Sequence, residues 1–332
     1  MLPEGLFSHN IEDYPEGIIL PVDKPYRWTS ADVVGKIKWA ACKHFGKKNL
    51  KVGHAGTLDP LATGLLLVCI GPATRKAEEL QRSPKQYVAG VTFGATTASY
   101  DLEKEIETDR TEAADGNGKA SDAPAEHLST ALSGILQART GEQMQVAPLF
   151  SAKSVDGVRA YEMARSLYKK GLDVGDTDIL HASPITIYDM QLLEFNAGGN
   201  ALERPEGSTV PAKRDSRLYS VPQGPLADAA APGAVPALRP NPRIHVSDIS
   251  EFDLPTALIS IDCSKGTYIR ALARDLGEDA GTVALLSSLR RTANGGFSIE
   301  DALSLEEALA KFEFQHSAAD LRDKDSANGS NL

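Results

Sequence analysis

The chain has 332 residues, of which 42% are hydrophobic, and a formal net charge of -10 at pH 7. This content is enough for a sizeable folded core, whereas the longest apolar run, LLLVCIG, is far too short to cross a bilayer. The N-terminal sequence MLPEGLFSHNIEDYPEG lacks the basic start and apolar stretch of a secretory signal, so we expect a soluble, cytoplasmic protein. The three cysteines, Cys42, Cys69 and Cys263, are widely separated, which argues against a disulfide framework and a zinc site.

The negative charge is unevenly distributed along the chain. Residues 100–130 and 300–332 are acidic, while residues 24–51 contain eight basic side chains against Asp32 alone. The basic residues of this stretch are Lys24, Arg27, Lys36, Lys38, Lys43, Lys47, Lys48 and Lys51. The net charge argues against a polyanionic partner, but this cluster keeps such a partner open; the alternative is a solvated helix surface.

The first part of the chain predicts strands and one helix. The run GIILPV, residues 17–22, predicts a short buried strand, followed by a turn at residues 23–25. Thr29 or Ser30 can cap a helix whose apolar residues then recur at helical spacing. Residues 61–77 continue as a buried segment, and YVAGVTFGATTASY alternates as a strand with one apolar side. That side carries Tyr87, Ala89, Val91 and Phe93.

Two polar interruptions divide the rest of the chain. Residues 103–125 are rich in turn formers and predict an exposed loop, and residues 196–250 hold eight of the 19 prolines, which disfavours a regular core element. A helix, HLSTALSGILQA, and a strand, ITIYDMQLLEF, are predicted between them. The strand TALISIDCS and the helix YIRALARDLGEDAG follow, so we interpret the second interruption as an insertion within one domain.

A glycine-rich loop, GHAGTLDPLATG, places a lone carboxylate, Asp59, between Leu58 and Pro60. An Asp that makes a turn before a Pro is common. However, the longer string GHAGTLDPLATGLLLV resembles the catalytic motif of the TruB-type tRNA pseudouridine synthases. Further stretches are similar to motifs of the same family, in family order, from residue 17 to about residue 310. They are KQY, GATTASYDLE, APLFSAKSVDGVRAYEMAR, CSKGTYIRALARDLGE and SLRRT.

This resemblance implies an α+β pseudouridine-synthase fold, with a central mixed, mostly antiparallel sheet flanked by helices and loops. It implies one catalytic domain over residues 1–310, with insertions at about 103–125 and 196–250. Only 41 residues follow Arg291, too few for the PUA RNA-binding module of many relatives, so we expect PUA to be absent. The acidic residues 311–332 predict a disordered tail.

The resemblance also implies the activity, which is isomerisation of a uridine in the T-loop of tRNA, at tRNA position 55. The partner is then the T-arm of tRNA, and we expect a monomer with no obligate protein partner, no metal and no cofactor. The string PLATG resembles bacterial members and disfavours the guide-RNA-dependent relatives that modify rRNA. SKGT lacks the preceding glycine spacing of a P-loop. The alternative to an enzyme is a non-catalytic tRNA-binding or tRNA-folding protein on the same scaffold.

Five site residues follow from the resemblance. Asp59 is the expected nucleophile, and Arg270 the partner that keeps it ionised through paired hydrogen bonds; the alternative for Arg270 is a surface position on a helix. Tyr87 is expected to stack on the flipped base and to help move the C5 proton, and Tyr268 completes the pocket. His54 resembles the family residue that packs into the disrupted T-loop.

Three further residues complete the expected site. Leu289 is expected in the pocket beside the tyrosines, although a lone Tyr or Leu at strand spacing is more often a core residue. Asp101 and Lys153 match an acidic and a basic family position, where we favour structural support over substrate contact. Two departures from the family pattern lie nearby: Ala98 stands where many relatives have an Asp, and Leu102 and Lys104 replace the small or glycine residues usual just after Asp101.

Overall fold

The computed structural model describes residues 7–108, 123–151, 154–155, 158–159, 181–198, 202–203, 241–250 and 252–312. Five α-helices lie in these ranges: α1 Ser30–His44, α2 Ala77–Arg82, α3 Ala123–Ala138, α4 Ile269–Asp279 and α5 Leu305–Ala310. Short 3-10 helices span Ile11–Asp13, Gly71–Lys76 and Ile299–Asp301. None of the helices in the described ranges is long and apolar enough to span a membrane.

Fifteen β-strands lie in the same ranges. The first eight are β1 Ile18–Lys24, β2 Val52–His54, β3 Ala62–Ile70, β4 Lys85–Phe93, β5 Ala95–Thr96, β6 Glu107–Thr108, β7 Gly141–Gln145 and β8 Ser154–Val155. The others are β9 Val158–Arg159, β10 Ser183–Asn196, β11 Leu202–Glu203, β12 Thr256–Cys263, β13 Ala284–Asn294, β14 Phe297–Ser298 and β15 Leu303–Ser304.

One large sheet organises the structure. Its eleven strands include the path β11-β10-β12-β4-β13-β3-β1-β15, while β2, β7 and β14 pair with β3, β10 and β13. The pairs β13–β3 and β1–β15 are parallel, and the other pairs of this sheet are antiparallel. The sheet is therefore mixed and mostly antiparallel, as predicted.

Local sequence explains where α1 begins. Thr29 accepts a hydrogen bond from the backbone N–H of Asp32, and the Asp32 carboxylate accepts one from the backbone of Thr29, which is a capping box. Val33 and Ile37 then bury the apolar face of the helix. The turn predicted at residues 23–25 begins later than expected, because β1 pairs with β3 as far as Lys24.

The strand β3 is buried on both faces. Leu66 and Val68 belong to the main core, which also contains the apolar faces of α1, α3, α4 and α5, while Leu65 and Leu67 join a second cluster with Ala73. All nine residues of β3 are buried. The loop that precedes β3 is therefore attached to a strand that is packed on both faces.

The two predicted interruptions are partly described. The helix α3 begins at Ala123 and not after residue 125. The strands on either side of the second interruption, β10 and β12, pair directly, from Ile187 opposite Cys263 to Asn196 opposite Thr256. Most of both interruptions lies outside the described residues, as do residues 313–332 of the predicted tail. The tail was predicted to start too early, because Phe312 is buried in the main core.

Candidate active site

The loop between β2 and β3 holds Asp59 in a fixed position. Ser30 Oγ donates to the carbonyl oxygen of Leu58 and accepts from its N–H, at 3.0 and 2.9 Å. The carbonyl of Pro60 accepts from Lys24 Nζ at 3.2 Å and from the N–H of Arg27 at 3.1 Å. Both neighbours of Asp59 are thus anchored, and its side chain remains 38% exposed.

Lys24 is fully buried, which corrects its place in the predicted basic surface. Its Nζ donates to the carbonyl oxygens of Pro25, Trp28 and Pro60, so the side chain points beneath the loop of Asp59. Burial lowers the pKa of Lys24 to about 7, against the opposing charge of Asp59. The buried group therefore holds the loop, and the exposed basic surface begins further along the chain.

Arg270 contacts both carboxylate oxygens of Asp59. Its Nε donates to Oδ2 at 2.9 Å and its Nη2 to Oδ1 at 3.2 Å, a paired geometry that suits a guanidinium and a carboxylate. Nη1 and Nη2 also donate to the carbonyl oxygens of Ser99 and Phe150, at 3.0 and 2.8 Å. The Arg270 side chain is 6% exposed. The alternative of a surface position is excluded.

Asp101 supports Arg270 from the buried side. Its Oδ2 lies 3.5 Å from Arg270 Nε, and its Oδ1 accepts from Ser99 Oγ at 2.6 Å and from the N–H of Glu103 at 3.0 Å. Burial raises the pKa of Asp101, and the charge of Arg270 opposes this. Burial alone would lower the pKa of Arg270, but Asp59, Asp101 and Glu103 together raise it above its ordinary value. The guanidinium therefore stays charged between the carboxylates.

Glu103 is a member of this cluster that the sequence interpretation missed. It is half-buried and lies close enough to Asp59, Asp101 and Arg270 to respond to their charges. No pattern in the sequence distinguishes it from Glu105, which is exposed two positions later.

Glu103→Gln is expected to remove a pH-dependent part of the stability. Burial, followed by the charge of Asp101, raises the pKa of Glu103 from its ordinary value of 4.5 to about 7. The protonated carboxyl therefore stabilises the folded state fully below pH 4.5, and this contribution is lost as the pH rises through about 7. Denaturant unfolding should show that the wild type loses roughly 1–3 kcal/mol relative to the Gln variant between pH 4.5 and 8. Glu105→Gln is the matched control, and an equal pH dependence in wild type and Glu103→Gln would contradict the expectation.

The two predicted pocket tyrosines lie within electrostatic reach of Asp59. Burial raises the pKa of Tyr87 and of Tyr268, and the charge of Asp59 adds to the effect at both. Tyr87 is half-buried in β4, opposite Arg291 of β13. Tyr268 directly precedes α4, and buried Gln145 holds its backbone by donating to its carbonyl at 3.1 Å and accepting from its N–H at 2.9 Å.

For the remaining predicted site residues, no contact with Asp59 is seen among the hydrogen bonds and ion pairs of the described residues. His54 ends β2, where burial and the charge of Arg291 lower its pKa. Leu289 is only 8% exposed and packs in the main core, with its backbone beside Ala62 of β3. Its place in a pocket therefore stays a prediction. Lys153 lies outside the described residues.

Arg291 supports the glycine-rich loop from below and was also missed as a site residue. It is fully buried, and it donates from Nε to Leu65 O at 2.7 Å and from Nη2 to Gly56 O at 3.1 Å. The strand that carries it approaches β3 at Gly64, where a Cβ would lie 2.3 Å from the Arg291 carbonyl oxygen. Glycine is required at that position.

Among its described residues, the site contains no group of side chains suited to a metal ion. Across the described ranges, no three His, Cys, Asp or Glu side chains converge as metal ligands would. Asp59 and Asp101 are instead bridged by the guanidinium of Arg270. The arrangement presents one partly exposed carboxylate, which buried Arg270 orients through two hydrogen bonds.

Comparison with known proteins decides the family. A model of the TruB family pseudouridylate synthase N-terminal domain matches residues 43–204. The chain is 38% identical over 295 residues to tRNA pseudouridine synthase B of Phocaeicola vulgatus, covering 89% of this chain and 92% of the relative. The chain belongs to the TruB family. A TruB relative named tRNA pseudouridine synthase B from Thermobifida fusca is 33% identical, over 90% of this chain and 75% of the relative.

The similarity of the chain to solved structures is more distant. A chain from a Cbf5-Nop10-Gar1 complex is 20% identical with a TM-score of 0.48, and a chain from an archaeal box H/ACA sRNP Nop10-Cbf5 complex is 18% identical with a TM-score of 0.46. This TruB-family chain spans 64% and 59% of their lengths, respectively.

Proposed function

We propose that the protein isomerises a uridine of tRNA to pseudouridine, acting on the T-loop uridine at tRNA position 55. The observation that carries the proposal is the Asp59 carboxylate, partly exposed and bound at both oxygens by buried Arg270. The name shared by the curated relatives, tRNA pseudouridine synthase B, supports tRNA over a guide-RNA-dependent rRNA substrate. We place this activity in the cytoplasm, with a monomer as the active form.

The reaction needs a nucleophile and a holding site for a detached base. The bond between ribose C1′ and N1 breaks, the uracil turns, and a bond forms between C1′ and C5; C5 gives up its proton and N1 gains one, so there is no net redox change. Asp59 serves as the nucleophile, adding either to the sugar or to the base ring. Arg270 places an opposite charge beside this carboxylate and orients it through two hydrogen bonds.

The base must leave its stack to reach Asp59, at a cost of a few kcal/mol that contacts in the pocket offset. Tyr87 supplies an aromatic face and a hydroxyl that can take part in moving the C5 proton. Tyr268 lies two positions before Arg270 and adds a second ring to the pocket, and we assign Leu289 to its floor. His54, at the end of β2, is proposed to occupy the space opened in the T-loop. Asp101 acts through Arg270, as a positioning residue.

A basic groove is proposed to bind the tRNA backbone at a distance from the flipped base. Its volume is about 730 Å³, and its lining includes Lys47, Lys48, Lys51 and Arg75. Lys47 is paired with Glu12 at 3.0 Å, while Lys48 and Lys51 are exposed. Lys51 directly precedes β2, the strand that leads to His54 and the Asp59 loop. This position suits phosphates several nucleotides from the target.

Replacing Lys48 and Lys51 together with Gln is expected to weaken tRNA binding by roughly tenfold and to lower the salt dependence of log Kd by about 2, because two phosphate contacts are lost. KM should rise while kcat changes less than twofold. The measurement is filter binding and steady-state kinetics at several salt concentrations. Lys36→Gln with Lys38→Gln is the control, since both lysines are exposed on α1. Equal losses in the two double variants would exclude the groove as the principal contact.

The function is tested by incubating the purified protein with unmodified tRNA transcript and mapping pseudouridine chemically. Pseudouridine at tRNA position 55 alone is expected, and a transcript with cytidine at that position should gain none. Binding without modification would favour the non-catalytic scaffold protein instead. Modification of another uridine would keep the enzyme class and reject the proposed target.

A further inference from the structure

Arg27 stands out because its backbone is strained beside the site. Among the residues that the structure describes, Arg27 and Tyr100 are the non-glycine residues with positive φ, at 59° and 57°. Few non-glycine residues adopt this conformation, and those that do cluster at functional sites. Both positions flank the cluster described above, since Tyr100 precedes Asp101 and the N–H of Arg27 donates to Pro60 O at 3.1 Å.

The last residues of the second insertion contact Arg27. Arg27 Nη2 donates to Ile244 O at 2.9 Å, and the Arg27 carbonyl accepts from the N–H of Asn241 at 3.0 Å. Asn241 Nδ2 also donates to Asp32 Oδ2 at 3.3 Å, at the start of α1. Ile244 is buried. Arg27 therefore connects residues 241–244 to the loop that carries Asp59.

The same segment reaches the other side of the site. The N–H of Ser247 donates to Leu102 O at 2.8 Å, and Ser247 Oγ donates to Lys104 O at 2.7 Å. Val246 packs in an apolar cluster with Leu102 and Leu285. Residues 241–247, the brace, thus connect the Asp59 loop, through Arg27, with the chain that directly follows Asp101.

The geometry points to Arg27 as a positioning residue for the isomerisation, which couples the brace to the Asp59 loop and keeps Asp59 aligned with Arg270. This role rests on the proposed function. Among the hydrogen bonds and ion pairs of the described residues, none joins Arg27 to Asp59 or Arg270; Arg27 acts through the carbonyl of Pro60. Nucleophile alignment is sensitive to small shifts, so the loss of the coupling affects turnover more than substrate binding.

Arg27→Gly tests this role, because glycine adopts a φ of 59° without strain and keeps the N–H that donates to Pro60. The variant should melt at or above the wild-type temperature and keep KM within threefold, while kcat falls about tenfold or more. Arg27→Lys should recover part of kcat. Arg243→Gly, an exposed arginine within the brace, is the matched control and should leave kcat unchanged. Ser247→Ala should lower kcat, and its effect should add little to that of Arg27→Gly, because both break the same connection.

Amide hydrogen exchange gives a second readout that does not depend on activity. In Arg27→Gly the amides of Leu58 and Ala62, which are bonded to Ser30 Oγ and Asp59 O, should exchange at least tenfold faster, with no change in β10. Unchanged exchange there overturns the brace whatever the enzyme does. A rise in KM with constant kcat, or a kcat loss that accompanies a lower melting temperature, also overturns it. If the loop amides exchange faster in Arg27→Gly but the wild-type protein modifies no tRNA, the proposed reaction is rejected and the brace is kept.

Discussion

Asp59→Asn is expected to lower the rate of pseudouridine formation by on the order of 10⁴-fold or more, the scale seen when a nucleophile is removed. An amide has nearly the shape of the carboxylate but lacks its nucleophilic charge, and it can still accept one hydrogen bond from Arg270. Single-turnover assays with excess enzyme and tRNA transcript measure the loss. Binding of tRNA should stay within about threefold, because the groove and the aromatic side chains are unchanged.

A second carboxylate–guanidinium pair supplies the control for Asp59. Arg139 donates from Nε and Nη2 to the two carboxylate oxygens of Asp279, at the end of α4 away from Arg270. Asp279→Asn removes a comparable paired contact and should leave the single-turnover rate within twofold. A loss of less than tenfold in Asp59→Asn would reject Asp59 as the nucleophile.

Arg270→Met should destabilise the protein by about 3–5 kcal/mol, because it leaves Asp101 as an uncompensated buried charge. Asp59 is 38% exposed and can be hydrated, whereas the Asp101 side chain is 6% exposed and cannot. Denaturant unfolding measures the change. The rate of pseudouridine formation should fall by roughly 10²–10³-fold at the same time, as expected for the loss of an oriented charged donor.

Two companion variants separate charge from geometry at Arg270. Adding Asp101→Asn to Arg270→Met should recover part of the stability without restoring activity, since the buried charge is gone but Asp59 is still unsupported. Arg270→Lys keeps the positive charge and loses the planar pair of donors, so it should recover stability better than activity. Full activity in Arg270→Lys would show that charge alone suffices.

Local elements of the fold were predictable because their causes are local. The capping box of α1 needs only Thr29 and Asp32, and the alternation of β4 places Ala89, Val91 and Phe93 in the core. The contact between Asp59 and Arg270 spans 211 positions, which no local propensity encodes. It was expected only because both residues lie in motifs that resemble those of one family.

The features that sequence interpretation missed depend on tertiary contacts. In the sequence Lys24 is one of several lysines in a basic stretch. In the structure it is fully buried and donates hydrogen bonds to three carbonyl oxygens from two segments. Ile244 follows a proline-rich region and has too few apolar neighbours in sequence to indicate a core position, but it is buried beside Arg27. Nothing in the local sequence marks Arg291 as buried; its guanidinium is held by the carbonyl oxygens of Gly56 in the glycine-rich loop and of Leu65 in β3.

The parallel pairing of β3 with β13 has a consequence for how the enzyme is made. Thr63 and Leu289, which bond across this pair, are 226 positions apart, and such distant pairings form late and slowly during folding. A nascent chain that has emerged only as far as β12 contains Asp59 and Tyr87 but neither Arg270 nor β13, the strand that pairs with β3 in parallel. The proposed catalytic pair of Asp59 and Arg270 is therefore complete only once nearly all of the described chain has left the ribosome.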